Sequence, residues 1–592
     1  MNDVADARAM ARRVVEATFR SHDGTELFYR HWPAPVQPAR GAVLLFHRGH
    51  EHSGRLAHLP DEFGLPDLDF FAWDARGLGR SPGPRGDAPS LAVMVRDMQA
   101  FAEHVAAAHG FAIEDVAVVA QSVGAVLAAA WVHDYAPRIR AMVLASPAFK
   151  VKLYVPFARA GLALMYRLRG NFQVNSYVKA KFLTHDPARI ASYDADPLIT
   201  RPISVRLLLG LYETAERIVA DAQAIVVPTQ VLVSGADWVV HEAPQRAFFE
   251  RLGTPVKEWH VLEGFHHDTL GELDRARAVA MARSFLLGRF AAPVAPPDLR
   301  HADVAGATYD EAKALAAPLP VLSPRGLYWS ATRAGLRFGG ALSEGVALGH
   351  RTGFDSGSTL DYVYRNQARG VTALGRAIDR NYLDSIGWRG IRQRKLHLEE
   401  LLGQAMARVR AAGLPVHIVD IAAGHGRYVL DSLDRAPAPP DSVLLRDYGK
   451  PNVEQGNALI RTRQLERIAR FVEGDAFDRA SLAALVPRPT IGIVSGLYEL
   501  FPDNTQVAVS LAGMADALPP GGILLYTGQP WHPQLELIAR ALTSHRGGAA
   551  WVMRRRTQAE LDQLVARAGF SKIDQRIDEW GIFTVSVARR IS

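Results

Sequence analysis

Two series of short apolar runs alternate with helical patterns along this chain. The first series comprises AVLLF, DFFAW, VAVVA, AMVLA, VLVSG and KEWHVL. The second comprises HIVDIA, SVLLRD, IARFVEG, IGIVSG and ILLYTG. Continuous apolar runs of strand length, separated by helices, are typical of mostly parallel sheets that are covered on both faces. The pattern therefore predicts two α/β domains.

A Pro- and Ala-rich stretch separates the two series. It reads AAPVAPPDLRHADVAGATYDEAKALAAPLP, shows no sustained apolar period and is predicted to be a linker over residues 291–320. We therefore predict one domain over residues 1–290 and another over residues 321–592. Within the first, residues 147–218 interrupt the strand series with helical patterns and are predicted to form a cap. A chain of 592 residues also exceeds what one hydrophobic core usually supports.

One apolar run is interrupted by a polar pair, Gln121 and Ser122, in the stretch VAVVAQSVGAVL. A strand that ends near Val119 and turns sharply into a helix from Val123 would expose the Ser122 hydroxyl at the tip of the turn. Backbone N–H groups at the start of that helix would point at the same place. The pattern predicts a nucleophile elbow, although the usual sequence is GxSxG and Ala120 here replaces the first glycine.

Two later strand ends supply the partners that a serine nucleophile requires. The serine needs a base to take its proton, and the base needs a carboxylate to orient it. In α/β-hydrolases the acid and then the histidine follow the serine along the chain. PTQVLVSGADWVV places Asp237 just beyond one strand, and KEWHVLEGFHHDTLGE places His266 and His267 beyond the next. Order and spacing thus predict a serine hydrolase with either histidine as the base.

Three further motifs connect the first domain to a known family. HRGHEHSGR, WDARGLGRSPGPRG and EGFHH are similar to the HGxGEHSGR, DxxGHGxSxG and EGAYH motifs of the monoacylglycerol lipase branch of the α/β-hydrolases. The resemblance implies an α/β-hydrolase sheet with a helical cap, and His267 as the catalytic base with His266 as the weaker candidate. It also implies an oxyanion hole formed by the backbone N–H groups of Gly49 and Val123. Arg48 and His50 stand where the family has glycines.

A small-residue turn opens the second domain, in PVHIVDIAAGHGRYVLDSL. A strand that ends in such a turn admits a nucleotide-like ligand close to the backbone. A GxGxxG dinucleotide motif would need glycine at Val429, so NAD is poorly supported. Asp447, Asp475 and Ser495 follow the next three strands. Each acid could also be a helix cap, but together they indicate a cofactor site.

The segment DIAAGHG resembles motif I, ExGxGxG, of the class I S-adenosylmethionine-dependent methyltransferases. The resemblance implies a Rossmann-like domain whose seventh, antiparallel strand is GIFTVSVARR, and S-adenosylmethionine as its cofactor. Asp447 would accept both ribose hydroxyls and Asp475 the adenine amino group. The second half is similar to a little-studied methyltransferase group found fused behind such hydrolases. The implied cofactor-binding residues are Asp420, Ala422, Gly424, Gly426, Asp447, Asp475, Ala476 and Ser495.

The methyl acceptor is not apparent from the sequence. Five residues fall where acceptors are usually held, although packing or capping explains them equally well: Tyr498, Glu499, Gln529, Trp531 and His532. The amphipathic segment YWSATRAGLRFGGALSEGVALGHRTGFDSGSTLDYVYRN before motif I is predicted to cover the cofactor or acceptor pocket.

Composition narrows the remaining functions. There is no cysteine, which excludes disulfides, thiolate zinc sites and a catalytic thiol, and favours a cytoplasmic location. No signal peptide or membrane-spanning run is recognised. The net charge of +7 would suit an anionic membrane surface, as would the basic and apolar cap, but it also fits a coding bias toward arginine. Nucleic-acid motifs are absent. His47, His50 and His52 match no metal-binding pattern, so no metal is expected.

The sequence therefore predicts a bifunctional enzyme of lipid metabolism. The first half would be a serine ester hydrolase of the monoacylglycerol lipase or lysophospholipase kind, with a lipid or other small ester as substrate. The second half would transfer methyl groups from S-adenosylmethionine. Two alternatives stay open: an acyltransferase that uses the same serine, and a scaffold with a degenerate hydrolase half that binds lipid without turnover. The departures at Ala120 and Arg48 are what keep the scaffold hypothesis open.

Overall fold

The computed structural model describes residues 12–176 and 178–591. The chain divides into two compact units, Met1–Pro297 and Asp298–Ser592. The expectation that the N-terminus carries no signal peptide falls largely on residues 1–11, which lie outside the described residues.

Unit 1 is built on an eight-stranded sheet with the strand order β1-β2-β4-β3-β5-β6-β9-β10. Strand β2 is antiparallel to both of its neighbours, and the other neighbouring pairs are parallel. This order and direction confirm the predicted α/β-hydrolase sheet. The strands are β1 (Val15–Arg20), β2 (Glu26–Trp32), β3 (Gly41–Phe46), β4 (Leu68–Trp73), β5 (Val116–Gln121), β6 (Ala141–Ala145), β7 (Gln173–Asn175), β8 (Pro202–Ser204), β9 (Thr229–Ser234) and β10 (Lys257–Leu262).

Helices cover both faces of this sheet, which explains why its strands are continuously apolar. Every residue of β3, β4 and β5 is buried. The helices are α1 (Leu59–Glu62), α2 (Leu91–His109), α3 (Val123–Tyr135), α4 (Ala158–Arg169), α5 (Pro187–Ala195), α6 (Val205–Ala220), α7 (Glu242–Arg251) and α8 (Ala276–Ala291).

The cap lies between β6 and β9, as the sequence predicts. It comprises α4, α5 and α6, together with a two-stranded antiparallel sheet of β7 and β8 that the helical pattern did not indicate. Helix α6 buries one face, which includes Leu207 and Leu211, whereas α4 has no buried residue. Leu168 on α4 and Phe157 just before it are 76% and 89% exposed. The cap therefore presents apolar side chains outward.

Unit 2 is built on a seven-stranded sheet with the order β13-β12-β11-β14-β15-β17-β16. Strand β17 is antiparallel to β15 and β16, and the remaining neighbouring pairs are parallel. The predicted Rossmann-like fold with an antiparallel seventh strand is thus confirmed. The strands are β11 (His417–Asp420), β12 (Ser442–Asp447), β13 (Ala469–Glu473), β14 (Ile491–Val494), β15 (Ile523–Gly528), β16 (Phe570–Ile577) and β17 (Thr584–Arg590).

A helical leader precedes this sheet, and further helices connect its strands. Those before β11 are α9 (Ala307–Ala316), α10 (Pro324–Leu342), α11 (Glu344–Thr352), α12 (Gly357–Arg365), α13 (Ala373–Leu383) and α14 (Ile386–Ala411). Those after it are α15 (Arg427–Leu433), α16 (Lys450–Thr462), α17 (Arg479–Ala483), α18 (Asn504–Ala517), α19 (Leu535–Ala541) and α20 (Gln558–Arg567).

The segment 291–320, predicted to be a linker, contains helix α9, and from residue 298 on it belongs to unit 2. Two buried arginines bind it there. Arg554 donates to Thr308 at 3.0 Å, and Arg555 donates to Glu311 at 2.5 Å. Leu315 packs against the apolar cluster beside them. The partners of α9 lie over 200 residues later in the chain, so local composition does not reveal them.

No helix among the described residues is long and apolar enough to cross a membrane.

Candidate active site and cofactor site

Ser122 lies at the turn between β5 and α3, where the chain changes direction sharply. Its backbone takes φ 56° and ψ −117°, a strained conformation for a residue with a side chain. A Cβ atom at Gly124 would lie 2.5 Å from the backbone oxygen of His47, so only glycine fits two residues after the serine. The turn therefore has the geometry of a nucleophile elbow, and Ala120 is accommodated in the fully buried strand before it.

The structure brings Ser122, Asp237 and His267 together from three separate strand ends. The Nε2 atom of His267 lies 2.7 Å from the hydroxyl oxygen of Ser122, and its Nδ1 atom lies 2.8 Å from a carboxylate oxygen of Asp237. All three residues are buried. A proton can thus pass from the hydroxyl to an imidazole that a carboxylate orients.

Asp237 is held in its ionised form. Burial alone would raise its pKa, but the charge and hydrogen bond of His267 and the backbone N–H groups of Val240 and Val239 lower the pKa below the ordinary value. Those N–H groups donate to the carboxylate oxygen that His267 does not use, at 3.0 and 2.7 Å. The carboxylate is therefore fixed in position on both sides.

The two segments predicted to form the oxyanion hole lie side by side. A Cβ atom added to Gly49 would lie 3.0 Å from a methyl group of Val123. Val123 is the first residue of α3, so its N–H group is not used by the hydrogen-bond ladder of that helix. Both residues line the same cavity as Ser122 and His267. Their assignment as oxyanion donors stays a prediction.

The two departures in the loop after β3 have structural explanations. Arg48 is buried, donates to Glu51 and lies 3.4 Å from a carboxylate oxygen of Asp268. Burial would lower the pKa of Arg48, but Asp268 and Glu51 raise it above the ordinary value, so the side chain stays charged. His50 takes φ 69°, the left-handed region that a glycine would favour. Arg48 thus connects this loop to the residue after His267.

The other histidines near the site have different partners. His47 lies 2.7 Å from the backbone oxygen of Arg48, and His52 lies 2.9 Å from Asp196. His266, the weaker candidate for the base, packs its ring against His185 with the ring centres 3.8 Å apart. His267, and not His266, contacts the serine.

A cavity of about 370 Å³ opens onto Ser122 and His267. Its walls come from the cap, from α2 and from the loop after β9. Apolar side chains make up most of the lining, including Met94, Leu153, Leu162, Leu207, Leu211 and Val239. A cavity of this size and character fits an acyl chain.

In unit 2 the predicted cofactor-binding residues lie at the carboxyl ends of the parallel strands. Gly424 and Gly426 take φ values of 58° and 71°, which explains the glycines of the DIAAGHG turn. Asp447 accepts hydrogen bonds from the backbone N–H groups of Gly424 and Gly449 and from the side chain of Asn452, at 2.8 to 2.9 Å. In this arrangement the acid also fixes the turn.

Asp420, the first residue of motif I, is fully buried. Burial raises its pKa to about 7, against hydrogen bonds from the hydroxyl of Tyr428 and the N–H group of Ala422, which lower it. Asp475 is exposed and accepts from the N–H group of Phe477, whereas Ala476 beside it is buried.

Three buried polar atoms near the ends of β14 and β15 have no hydrogen-bond partner within the described part of the chain. They are the hydroxyl of Ser495, one carboxylate oxygen of Glu499 and the amide nitrogen of Gln529. The other oxygen of Glu499 accepts from Arg394 at 3.0 Å. Buried polar groups are rarely left unsatisfied, so these atoms indicate a polar ligand.

The remaining acceptor candidates are less favourably placed. Tyr498 is packed in the core, with its hydroxyl 3.2 Å from Ser510. Burial lowers the pKa of His532 to about 3, so its ring is neutral. Trp531 is half-buried and packs against the guanidinium of Arg555. Of the five acceptor candidates, Glu499 and Gln529 have the stronger case for ligand contact, because each has a buried polar atom without a partner within the described residues.

The helical leader lies against the glycine turn of motif I. A Cβ atom added to Gly424 would lie 3.5 Å from Gly357 at the start of α12. Asp361 on α12 accepts from Arg427, the first residue after that turn. The leader thus packs against the motif I segment, and its covering of the cofactor or acceptor pocket stays a prediction.

Comparison with known proteins agrees with this architecture. A family model described as "Putative methyltransferase" matches residues 282–590. The chain belongs to this putative methyltransferase family. A second model, described as "Serine aminopeptidase, S33", matches residues 37–274. The chain therefore carries an α/β-hydrolase domain in front of the part that places it in this family.

Some relatives match nearly the whole chain, and others match less than half of it. The uncharacterized protein YnbC of Escherichia coli (strain K12) is 58% identical over 576 residues, 97% of this chain and 98% of that protein. The monoacylglycerol lipase of Mycolicibacterium smegmatis is 29% identical over 267 residues, 43% of this chain and 91% of that protein. The crystal structure of the Paleococcus ferrophilus monoacylglycerol lipase aligns with a TM-score of 0.41 and 24% identity, over 45% of this chain and 99% of that one.

One residue near the predicted cofactor site, Arg394, was not predicted from the sequence. Arg394 lies on α14, in the stretch GWRGIRQRK, and is 2% exposed. It contacts Glu499 and lies close to Gly496, which follows β14. An arginine in a helix normally indicates a solvent-exposed position, so the burial of Arg394 is not evident from the sequence.

Proposed function

We propose that unit 1 of the chain is a serine ester hydrolase. The observation that carries the proposal is the continuous hydrogen-bonded series Ser122, His267, Asp237 at 2.7 and 2.8 Å. Ser122 would attack the ester carbonyl while His267 takes its proton and later gives that proton to the leaving alcohol. The N–H groups of Gly49 and Val123 would bind the oxyanion, each contributing about 3 kcal/mol.

The proposed substrate is a lipid with a single acyl chain, such as a monoacylglycerol or a lysophospholipid. The apolar cavity of about 370 Å³ beside the serine supports this proposal, because it can hold an acyl chain next to the nucleophile. The similarity to the M. smegmatis monoacylglycerol lipase supports it independently.

A fluorophosphonate probe tests the nucleophile directly. Wild-type protein should be labelled, Ser122→Ala should not, and Ser192→Ala in the cap should be labelled as wild type. Ser192 is a suitable control because it is exposed, and its hydroxyl donates to the backbone oxygen of Arg189 and accepts from Arg55 at 2.9 Å. Absence of wild-type labelling would contradict the proposal and favour a lipid-binding scaffold. Competition between water and glycerol for the acyl group would separate hydrolysis from acyl transfer.

We also propose that unit 2 binds S-adenosylmethionine at the carboxyl edge of its sheet. The cofactor would supply an electrophilic methyl group. Asp420, Asp447 and Asp475 come from three neighbouring strand ends, and the buried unpartnered atoms of Ser495 and Gln529 border the same edge. The three carboxylates, the hydroxyl and the amide suit the ribose, the adenine and the amino-acid portion of the cofactor.

Calorimetric titration decides the cofactor. S-adenosylmethionine should bind and NAD should not. Asp447→Ala should weaken the binding, while Asp434→Asn should leave it unchanged because the side chain of Asp434 is 64% exposed and pairs with Arg463. Binding of NAD alone would contradict the assignment.

We further propose that both activities serve lipid metabolism in the cytoplasm, at a membrane surface. The exposed apolar residues Val155, Phe157 and Leu168 support contact between the cap and lipid. The basic residues of the cap contribute less, because Arg159 pairs with Glu216 and Lys152 donates to the backbone oxygen of Asp237. Flotation with anionic vesicles should therefore depend more on Leu168→Ser than on Arg159→Gln.

A further inference from the structure

We propose that His185, His266 and Glu272 form a binding site for a divalent transition-metal ion, best matched by Zn²⁺, which joins the cap to the turn that carries His267. The three residues come from two segments, one before α5 in the cap and one after β10. Each offers one ligand atom, and these atoms all lie within 4.8 Å of one another.

The arrangement around Glu272 places ligand atoms close together before any metal binds. The Nδ1 atom of His185 lies 2.7 Å from one carboxylate oxygen of Glu272. The same oxygen accepts from the backbone N–H group of His266 at 3.0 Å. The other oxygen accepts from the backbone N–H groups of His185 and Leu273 and from the hydroxyl of Thr184. Such surrounding hydrogen bonds fix the orientation of a metal-binding carboxylate.

His266 provides a buried imidazole nitrogen that could bind a metal, and His185 connects the site to solvent. The Nδ1 atom of His266 is buried and has no hydrogen-bond partner among the residues that the structure describes. The side chain of His185 is 51% exposed, whereas that of Glu272 is 3% exposed. A cation can therefore approach past His185 and find a buried carboxylate and an unused imidazole nitrogen.

The chemistry of these ligands selects the metal class. Two imidazoles and one carboxylate suit borderline ions such as Zn²⁺, whereas Ca²⁺ and Mg²⁺ prefer oxygen ligands alone. Three protein ligands leave a fourth position for water. Because His266 and the catalytic candidate His267 are adjacent, a bound ion would also fix the position of the turn that holds the base.

Equilibrium dialysis with Zn²⁺ alone tests the site on the full-length protein without an affinity tag. We expect one ion per chain in the wild type. Loss of an outer-shell partner already weakens metal sites by about 10–100-fold, so His185→Ala should weaken binding by at least about tenfold. His260→Ala is the matched control, because His260 lies 3.0 Å from Glu258 and, within the part of the chain that the structure describes, belongs to neither group of three possible ligands.

A second group, His31, Asp69 and His109, could also hold an ion, so His109→Ala is included. Circular dichroism of each variant checks that it is folded, and a zinc-dependent rise in the melting temperature of the wild type should disappear in His185→Ala. Absence of Zn²⁺ binding, or binding that His185→Ala leaves unchanged, would overturn the proposal. Loss of binding only in His109→Ala would overturn it as well. The readout is independent of hydrolysis, so a failed ester assay does not affect it.

Discussion

His267 Nε2 lies 2.7 Å from the hydroxyl oxygen of Ser122, although 145 positions separate the two residues in the chain. Their neighbours form a second connection, because Gln121 donates to the carboxylate of Asp268 at 2.9 Å. Both connections join the end of β5 to the turn after β10. The contact between the reacting side chains is therefore supported by an adjacent buried hydrogen bond rather than by the imidazole alone.

Asp237→Asn should lower the rate of ester hydrolysis by about 10⁴-fold, because an amide favours the wrong imidazole tautomer. Hydrolysis of a short-chain chromogenic ester measures the effect. Glu263→Gln changes an exposed acid in the loop before His267 and should leave the rate unchanged. Equal rates in wild type and Asp237→Asn would remove Asp237 from the mechanism.

Arg48→Ala should destabilise unit 1 by about 3–5 kcal/mol, because it leaves the buried carboxylates of Glu51 and Asp268 short of a positive charge. Denaturant unfolding measures this loss. The exposed pair of Arg80 and Glu16 provides the control, and Arg80→Ala should cost less than about 1 kcal/mol. Similar losses in the two variants would show that the buried cluster contributes little.

Gly124→Ala should distort the elbow, since the new methyl group would lie 2.5 Å from the backbone oxygen of His47. We expect a lower melting temperature and slower fluorophosphonate labelling. Gly161→Ala, in helix α4 with no atom within 4 Å of the new methyl group, should be neutral or stabilise by up to about 1 kcal/mol. Wild-type labelling of Gly124→Ala would mean that β3 can move to accept the methyl group.

Asp420 should make unit 2 less stable at alkaline pH. Its pKa is raised to about 7 in the folded protein from 3.8 in an unperturbed chain, so the folded state binds the proton more tightly. The resulting stabilisation is fully present below the unfolded pKa and is lost as the pH rises through 7.

Thermal unfolding followed between about pH 5 and pH 8 measures this dependence. Asp420→Asn cannot ionise and should show a smaller loss over that range, whereas the exposed control Asp434→Asn should follow the wild type. Parallel curves for wild type and Asp420→Asn would refute the assignment.

Features encoded by short local patterns could be predicted from the sequence. Apolar runs predicted the parallel strands of both sheets because burial on both faces requires continuous apolar residues. The triad candidates could be placed together because parallel strands end at the same edge. The antiparallel strand β1 is mostly exposed, and β2 is mostly buried but contains charged and polar residues, so neither shows a continuous apolar run.

Features that depend on side-chain direction could not be predicted. Tyr498 follows β14 as expected, yet its ring enters the core. Arg394 has a polar helical context but is buried on Glu499. His185 and Glu272 are 87 positions apart, and only the folded cap brings them together.

The attachment of helix α9 to Arg554 and Arg555 affects how the second half can be prepared in isolation. A recombinant fragment that starts at residue 321 would lack Thr308 and Glu311, and would leave two buried guanidinium groups with fewer acceptors. Low yield of such a fragment would then reflect a misplaced start rather than dependence on the hydrolase half. A fragment that starts at Asp298 retains these acceptors and is the appropriate material for cofactor titration and crystallisation.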